Sequence, residues 1–394
     1  MASILPLQEK IFDFVIIGAG MAGASAAYFL AQDGEGDAAD RVLLLEMEAQ
    51  PGYHTTGRSA ALYTEAYGNA AIRALTSAGR TFLLAPPDGF TDTPLLTPRG
   101  VMFIGRADQQ AALDEVFTSA ALHVDSIHHL NEADVRERIP VVRPGYAAAG
   151  VLEADAMDMD VNALHQGFLR GARRHGAELR TNARVDGLTR RDGAWRISLG
   201  HEEISAKVII NAAGAWCDKI AALAGAETVG LVPKRRTAIL FDGATNQAFA
   251  AWPALIDADE EFYARPESGA LMGSPADETP MEPCDVQPEE LDIAIAVDRL
   301  QQATSLEIPR VIRSWAGLRS FVEDKTPVVG FDAKVDGFFW LAGQGGYGIQ
   351  TAPSMGRVSA ALALGRDVPE DLQAFGVSAA DLSPARATLR KGKD

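Results

Sequence analysis

The sequence predicts an α/β protein in which a Rossmann-like, doubly wound domain is interleaved along the chain with a second, α+β domain. Three observations predict it. Near the N-terminus, "FDFVIIGAGMAGASAAYFLA" runs from β-branched and aromatic residues through a glycine cluster into an Ala-rich stretch, the order expected of buried strand, tight turn and helix. Strand-to-glycine passages recur far downstream, at "KVIINAAGAW" and "FFWLAGQGGYGIQTA". Between them, residues 91–152 and 226–316 carry strand and helix patterns without any such passage.

The first passage contains no charge from Phe14 to Ala31, and a membrane-spanning helix of ~20 apolar residues is the rival reading. The spacing Gly18, Gly20, Gly23 argues against it. In GxGxxG the first glycine makes the turn, the second admits a pyrophosphate to the backbone, and the third lets the helix pack on the strand. Met21 and Ala22 open that helix, whose N-terminus faces the anion. "RVLLLEME" follows as a second buried strand ending in Glu46, an acid suited to an adenosine ribose. Its extra distance from the glycines is taken up by "DGEGDAADR", which reads as a surface loop.

The next element, "PGYHTTGRSAALYTEAYG", is rich in small residues and suits passage beside a large flat ring, which favours FAD over NAD. A helix is expected from Val161 to His175, then a short strand, a hairpin turning at "RDG", and the strand "KVIINAAG". The small residues Ala212, Ala213 and Gly214 allow that strand close to a cofactor, and Val185 is a further cofactor-binding candidate. The last passage repeats strand, glycine loop and helix, and brings Gly345, Tyr347, Gly348 and Ile349. A helix start there would set a positive dipole end against a ring that gains negative charge on reduction. In the other segments, "RGVMFIG" and "PKRRTAILFDG" read as strands, and "DQQAALDEVFTSAAL" and "PEELDIAIAVDRLQQATSL" as helices.

Composition excludes other classes. The chain has 394 residues, enough for two or three domains, and a net charge of -17, which disfavours nucleic acid and acidic membranes as partners. The arginines of "LRGARRHGAEL" fit the solvated face of one helix. Cys217 and Cys284 stand far apart without CxxC spacing, so reduced, buried thiols are expected rather than a disulfide or zinc site. No histidine forms a base or metal site: His128 and His129 fall in a polar stretch, His165 and His175 on a helix. "MASILPLQEK" lacks a basic region leading into an apolar core, so no secretory signal and a cytoplasmic location are expected.

Over nearly its whole length the sequence resembles the FAD-dependent D-amino acid oxidase and dehydrogenase family of the glycine and sarcosine oxidase type, most closely the bacterial D-arginine dehydrogenases. The resemblance rests on "VIIGAGMAGAS", "EAQPGYHTTGRSAA", "YTEAYG", "VNAL", "LHQGFLRG", "NAAGAWCD", "PKRRTA", "WAGLR" with "SFV", and "GQGGYGIQTA". It implies non-covalent FAD, a substrate domain (91–152 and 226–316) whose mixed sheet roofs the flavin, and an FAD domain made of 1–90, 153–225 and 317–394.

The implied reaction moves hydride from the α-carbon of an amino acid to the flavin, and water then releases a 2-oxo acid and ammonia, with oxygen or a quinone as final acceptor. A substrate carboxylate calls for arginine, whose planar fork makes two parallel hydrogen bonds. Strand alternation lets only one of Arg235 and Arg236 face a pocket. The resemblance selects Arg236, with Arg319 as second clamp. On composition alone both read as surface residues. The resemblance further implies Tyr67 and Tyr263 at the substrate, the latter as a lid, Gly346 at the amine, and Ser59 and Ala60 at the flavin edge. Leu62, Thr64, Val101, Ile256 and Gln350 are expected around the substrate side chain. Val101 and Leu62 replace a glutamate and a histidine of the D-arginine enzymes, which implies a preference for apolar or aromatic side chains. The rival readings are a D-arginine or D-lysine dehydrogenase, a glycine/sarcosine-type oxidase, a 2-hydroxy acid dehydrogenase, and a flavin-binding sensor without turnover.

Overall fold

A computed structural model describes residues 11–32, 42–122, 124–243 and 248–390. The expected loop "DGEGDAADR" and the first ten residues lie outside them. Among the described residues, strands form sheets of eight, nine and three strands. The predicted fold class, α/β with a mixed second sheet, is the one observed.

Strand Ile11–Ile17 is the centre of the eight-stranded sheet because its side chains, Asp13 apart, are apolar on both faces, as a strand covered by helices requires. It pairs in parallel with Val42–Leu45 on one side and Glu202–Asn211 on the other. Further along, Glu202–Asn211 also pairs in parallel with Phe338–Ala342. Thus all three strand-to-glycine passages leave the same end of one sheet. The charge-free opening stretch is therefore not a span: it divides into this strand, a turn, and the 12-residue helix Met21–Gln32. That helix packs against Val161–Arg174 and Ala352–Ala363. No helix among the described residues is long and apolar enough to cross a membrane. The hairpin Gly187–Arg191 with Ala194–Leu199 turns at Asp192 and Gly193, both at positive φ, as "RDG" predicts.

In the nine-stranded sheet Val101–Gly105 runs between Ala254–Asp257, its parallel neighbour, and Ala149–Glu153, its antiparallel one. At the other end, Val232–Phe241 and Val311–Phe321 form a long antiparallel pair. The short helical turn Thr55–Arg58 docks on the nine-stranded sheet. Thr55 Oγ1 donates to the Leu318 carbonyl at 2.7 Å, and Trp315 Nε1 donates to the Arg58 carbonyl at 3.0 Å.

Candidate active site

The glycine turn is held from three directions. Gly18 has φ +104°, and a Cβ there would lie 2.5 Å from the Ala212 carbonyl oxygen; one at Gly23 would lie 1.9 Å from the Gly18 oxygen. Both positions therefore require glycine. Ala19, between them, is pinned at both ends. Its N–H donates to Glu46 Oε2 at 3.0 Å, and its carbonyl accepts from His165 Nε2 at 2.9 Å. Thr56 Oγ1 accepts from the Met21 N–H at 3.0 Å at the helix start.

Two cavities meet here. One is lined by Gly18, Gly20, Glu46, Val185, Ala213 and Gly214; the other by Gly20, Met21, Ala22, Ser59, Ala60, Gly345, Gly348 and Ile349. They share Gly20, Thr55, Thr56, Ala212, Gly214 and Ala215, so they form one elongated cleft from Glu46 to the last glycine turn. Two buried polar atoms of its lining residues, Ser320 Oγ and Gln344 Nε2, have no protein partner. An extended dinucleotide fits this cleft: backbone without side chains at its middle, an acid at one end, and orphaned polar atoms at the other. The last helix proper begins at Ala352, beyond the turn residues Gly348, Ile349 and Gln350 that line the cleft. Tyr347 is buried behind this turn, its ring 4.9 Å from that of Tyr67.

The cleft widens under the nine-stranded sheet. Its walls there are mostly apolar, with Ala60, Leu62, Ala238, Ile256, Phe262 and Ile349, joined by Thr64 and Gln350. Alternation separates the adjacent arginines as expected. Arg235 turns away into a buried ion pair with Asp292 at 2.8 Å, whereas Arg236 faces the cleft. Arg319, on the neighbouring strand, reaches the same wall and donates from Nη2 to Tyr67 Oη at 3.0 Å. Its nearest carboxylate oxygen, of Glu278, is 3.8 Å away, although the side chain is only 12% exposed. Gly346 makes this placement possible, since a Cβ there would sit 1.6 Å from Arg319 Nη2. Tyr263 closes the other side, its ring 6.0 Å from the Arg236 guanidinium.

Val101 is not brought to the cleft. It is fully buried in an apolar cluster with Ala66, Phe103 and Val151, because both faces of its strand are covered. Its register partner is Glu153, an acid that motif reading does not reveal. Glu153 accepts from the Glu65 N–H at 2.9 Å and bonds Thr64 Oγ1 at 2.5 Å. Burial pushes its carboxyl up to about 7, against those hydrogen bonds. Glu65 itself turns away, to Tyr63, Ser77 and Arg80. Glu260, exposed at the rim, is the one acid on the described lining of the wide part. His128 and His129 lie on a strand, His129 stacked on Phe117 at 3.8 Å. Cys217 is buried, but Cys284 is partly exposed; both are free. No cluster that could hold a metal is found among the described residues.

Residues 13–362 match the family described as FAD dependent oxidoreductase (DAO). The chain is similar to the hydrogen cyanide synthase subunit HcnC of Pseudomonas aeruginosa, 24% identical over 431 residues that cover 97% of this chain and 99% of that one. It is also similar to N-methyl-L-tryptophan oxidase of Salmonella enteritidis, 23% identical over 391 residues covering 93% and 98%. In fold it is similar to glycine oxidase from Geobacillus kaustophilus, with a TM-score of 0.77 at 18% identity over 92% of this chain and 97% of that one. Since the family match runs from the central strand to the last helix bordering the cleft, the chain belongs to the FAD-dependent oxidoreductase family, and FAD is its cofactor.

Proposed function

We propose that the protein oxidatively deaminates D-amino acids with uncharged side chains, using non-covalently held FAD. One observation carries the reading: Arg236 and Arg319, on adjacent strands, converge on one wall of a cavity whose wide part is mostly apolar. Two buried guanidiniums that share one carboxylate neighbour, Glu278, suit a further carboxylate and fix its orientation. FAD supplies the two-electron acceptor for hydride from the α-carbon. The chain's own task is to hold that carbon in line. The arginines and Tyr67 grip the carboxylate, the Gly346 carbonyl receives the amine, and Tyr263 shuts out water. Leu62, Ile256 and Phe262 surround the side chain, where each Å² of apolar surface removed from water contributes ~25 cal/mol. Residues 91–152 and 226–316 act as the substrate domain, and the imino acid product is hydrolysed to a 2-oxo acid and ammonia. Oxygen or a quinone would serve as the final electron acceptor.

Similarity to an N-methyl amino acid oxidase supports amine rather than hydroxy acid chemistry. A second reading, turnover of cationic amino acids, is favoured by Glu260 at the rim. The test is anaerobic bleaching of the bound flavin by D- and L-amino acids and 2-hydroxy acids. D-leucine, D-methionine or D-phenylalanine should reduce it fastest. Fastest reduction by D-arginine would favour the second reading, and reduction by L-amino acids or hydroxy acids alone would refute the first.

A further inference from the structure

Three cations lie close together toward one end of one face of the pair Val232–Phe241 and Val311–Phe321, away from Arg313 at its other end. Lys234 and Arg236 are two residues apart and so point the same way, and Lys234 is the register partner of Arg319. Like charges opposed on neighbouring strands repel. One carboxylate sits among all three. Glu278 Oε2 lies 2.9 Å from Lys234 Nζ, while Oε1 lies 3.2 Å from Arg236 Nη2 and 3.8 Å from Arg319 Nη1. Burial raises the Glu278 carboxyl, but the three cations outweigh it and hold it below its ordinary value.

The loop bearing Glu278 also fixes the plane of Arg236. Arg236 Nε donates to the Asp277 carbonyl at 2.9 Å, so Asp277 and Glu278 together occupy the Nε–Nη2 edge of the guanidinium. Asp277 is itself anchored, accepting from the Thr237 N–H at 2.6 Å. With that edge taken, Nη1 is the group left to meet a ligand. Lys234, Arg236 and Arg319 set three positive charges around the single carboxylate of Glu278, so the cluster keeps positive charge for a further carboxylate.

We propose that Glu278 is a positioning residue for carboxylate recognition: by bridging Lys234, Arg236 and Arg319 it holds both guanidiniums on a single carboxylate. This rests on the clamp assigned above. A carboxylate that merely occupied the substrate's place would act in the opposite direction, since its removal would tighten binding.

The experiment uses the FAD-loaded protein, with propionate as a carboxylate probe followed through the flavin absorbance, and steady-state kinetics on the best amino acid found. In Glu278→Ala, propionate binding should weaken and KM should rise by roughly tenfold to a hundredfold, the scale for a misaligned binding group, with a smaller change in kcat. Glu278→Asp should recover part of the loss. A purely structural ion pair would lower thermal stability without this KM–kcat split or rescue. Unchanged or tighter propionate binding in a folded, flavin-bearing Glu278→Ala protein overturns the proposal. Should the alanine variant not fold, Glu278→Gln carries the same expectation at roughly tenfold, and unchanged binding there overturns it equally. Arg236→Met separates the two ideas. If it abolishes propionate binding while Glu278 variants do not, only the positioning role falls; if it has no effect, the clamp falls and takes the proposal with it.

Discussion

Replacing Glu153 by glutamine should make the protein more stable, and only above mildly acidic pH. Glu153 is 2% exposed, and burial raises its carboxyl from 4.5 to about 7. In the folded chain it therefore keeps its proton through a range where the unfolded chain has lost it. Stability falls with rising pH wherever the folded state binds more protons. The contribution of this raised group is thus fully present below about 4.5 and is lost as pH climbs to about 7. The gap, at ~1.36 kcal/mol per pH unit, is worth roughly 3 kcal/mol. Glutamine has the same shape, can accept from the Glu65 N–H and can donate to Thr64 Oγ1, without titrating. Urea unfolding of wild type and Glu153→Gln across pH 4 to 9 is the assay. The difference should be near zero at the acid end and approach roughly 3 kcal/mol above about 7. A difference independent of pH, or one that grows toward acid, would refute the assignment of a buried, neutral carboxyl.

Arg319→Met should weaken binding of carboxylate substrates by roughly 3–5 kcal/mol, the scale for breaking a buried charge pair, read as kcat/KM in protein that retains flavin. Gly346→Ala should mimic it, because its Cβ would fall 1.6 Å from Arg319 Nη2; normal carboxylate affinity in that variant would contradict the packing. His165→Phe leaves the Ala19 carbonyl without its buried donor, a loss of roughly 1–3 kcal/mol, so the flavin-to-protein ratio after dialysis should drop. Val101→Glu should act on folding, lowering soluble yield, because an unpaired acid would enter a closed apolar cluster; a stable variant with altered side-chain preference would show that Val101 does reach the cavity.

The glycine loop, the hairpin at Asp192 and Gly193, and the split between Arg235 and Arg236 were legible because each depends on local geometry or on strand alternation. Val101 was not. Its strand is buried on all five residues, so no polar alternation says which face sees the cavity, and the register with Glu153 that decides it is set far along the chain. His165 and Glu278 escaped for a related reason. One looks like any helical histidine until Ala19 is brought to it across 146 positions, and the other like any loop acid until two strands place three cations around it.

The central sheet interleaves distant parts of the chain, and this governs when cofactor can be taken up. Ile11–Ile17 waits for residues 205–211 to pair on one side, and the wide end of the cleft has no floor until residues 341–350 exist. During synthesis the glycine loop is made first and completed last. A nascent chain therefore carries apolar strands for most of its length without their partners, the condition under which aggregation competes with folding. Once complete, it gains stability from FAD in proportion to the logarithm of its free concentration over Kd. Flavin supply during expression should then decide soluble yield, and C-terminal truncations that remove Phe338–Ala342 should forfeit flavin entirely even though the whole GxGxxG motif is retained.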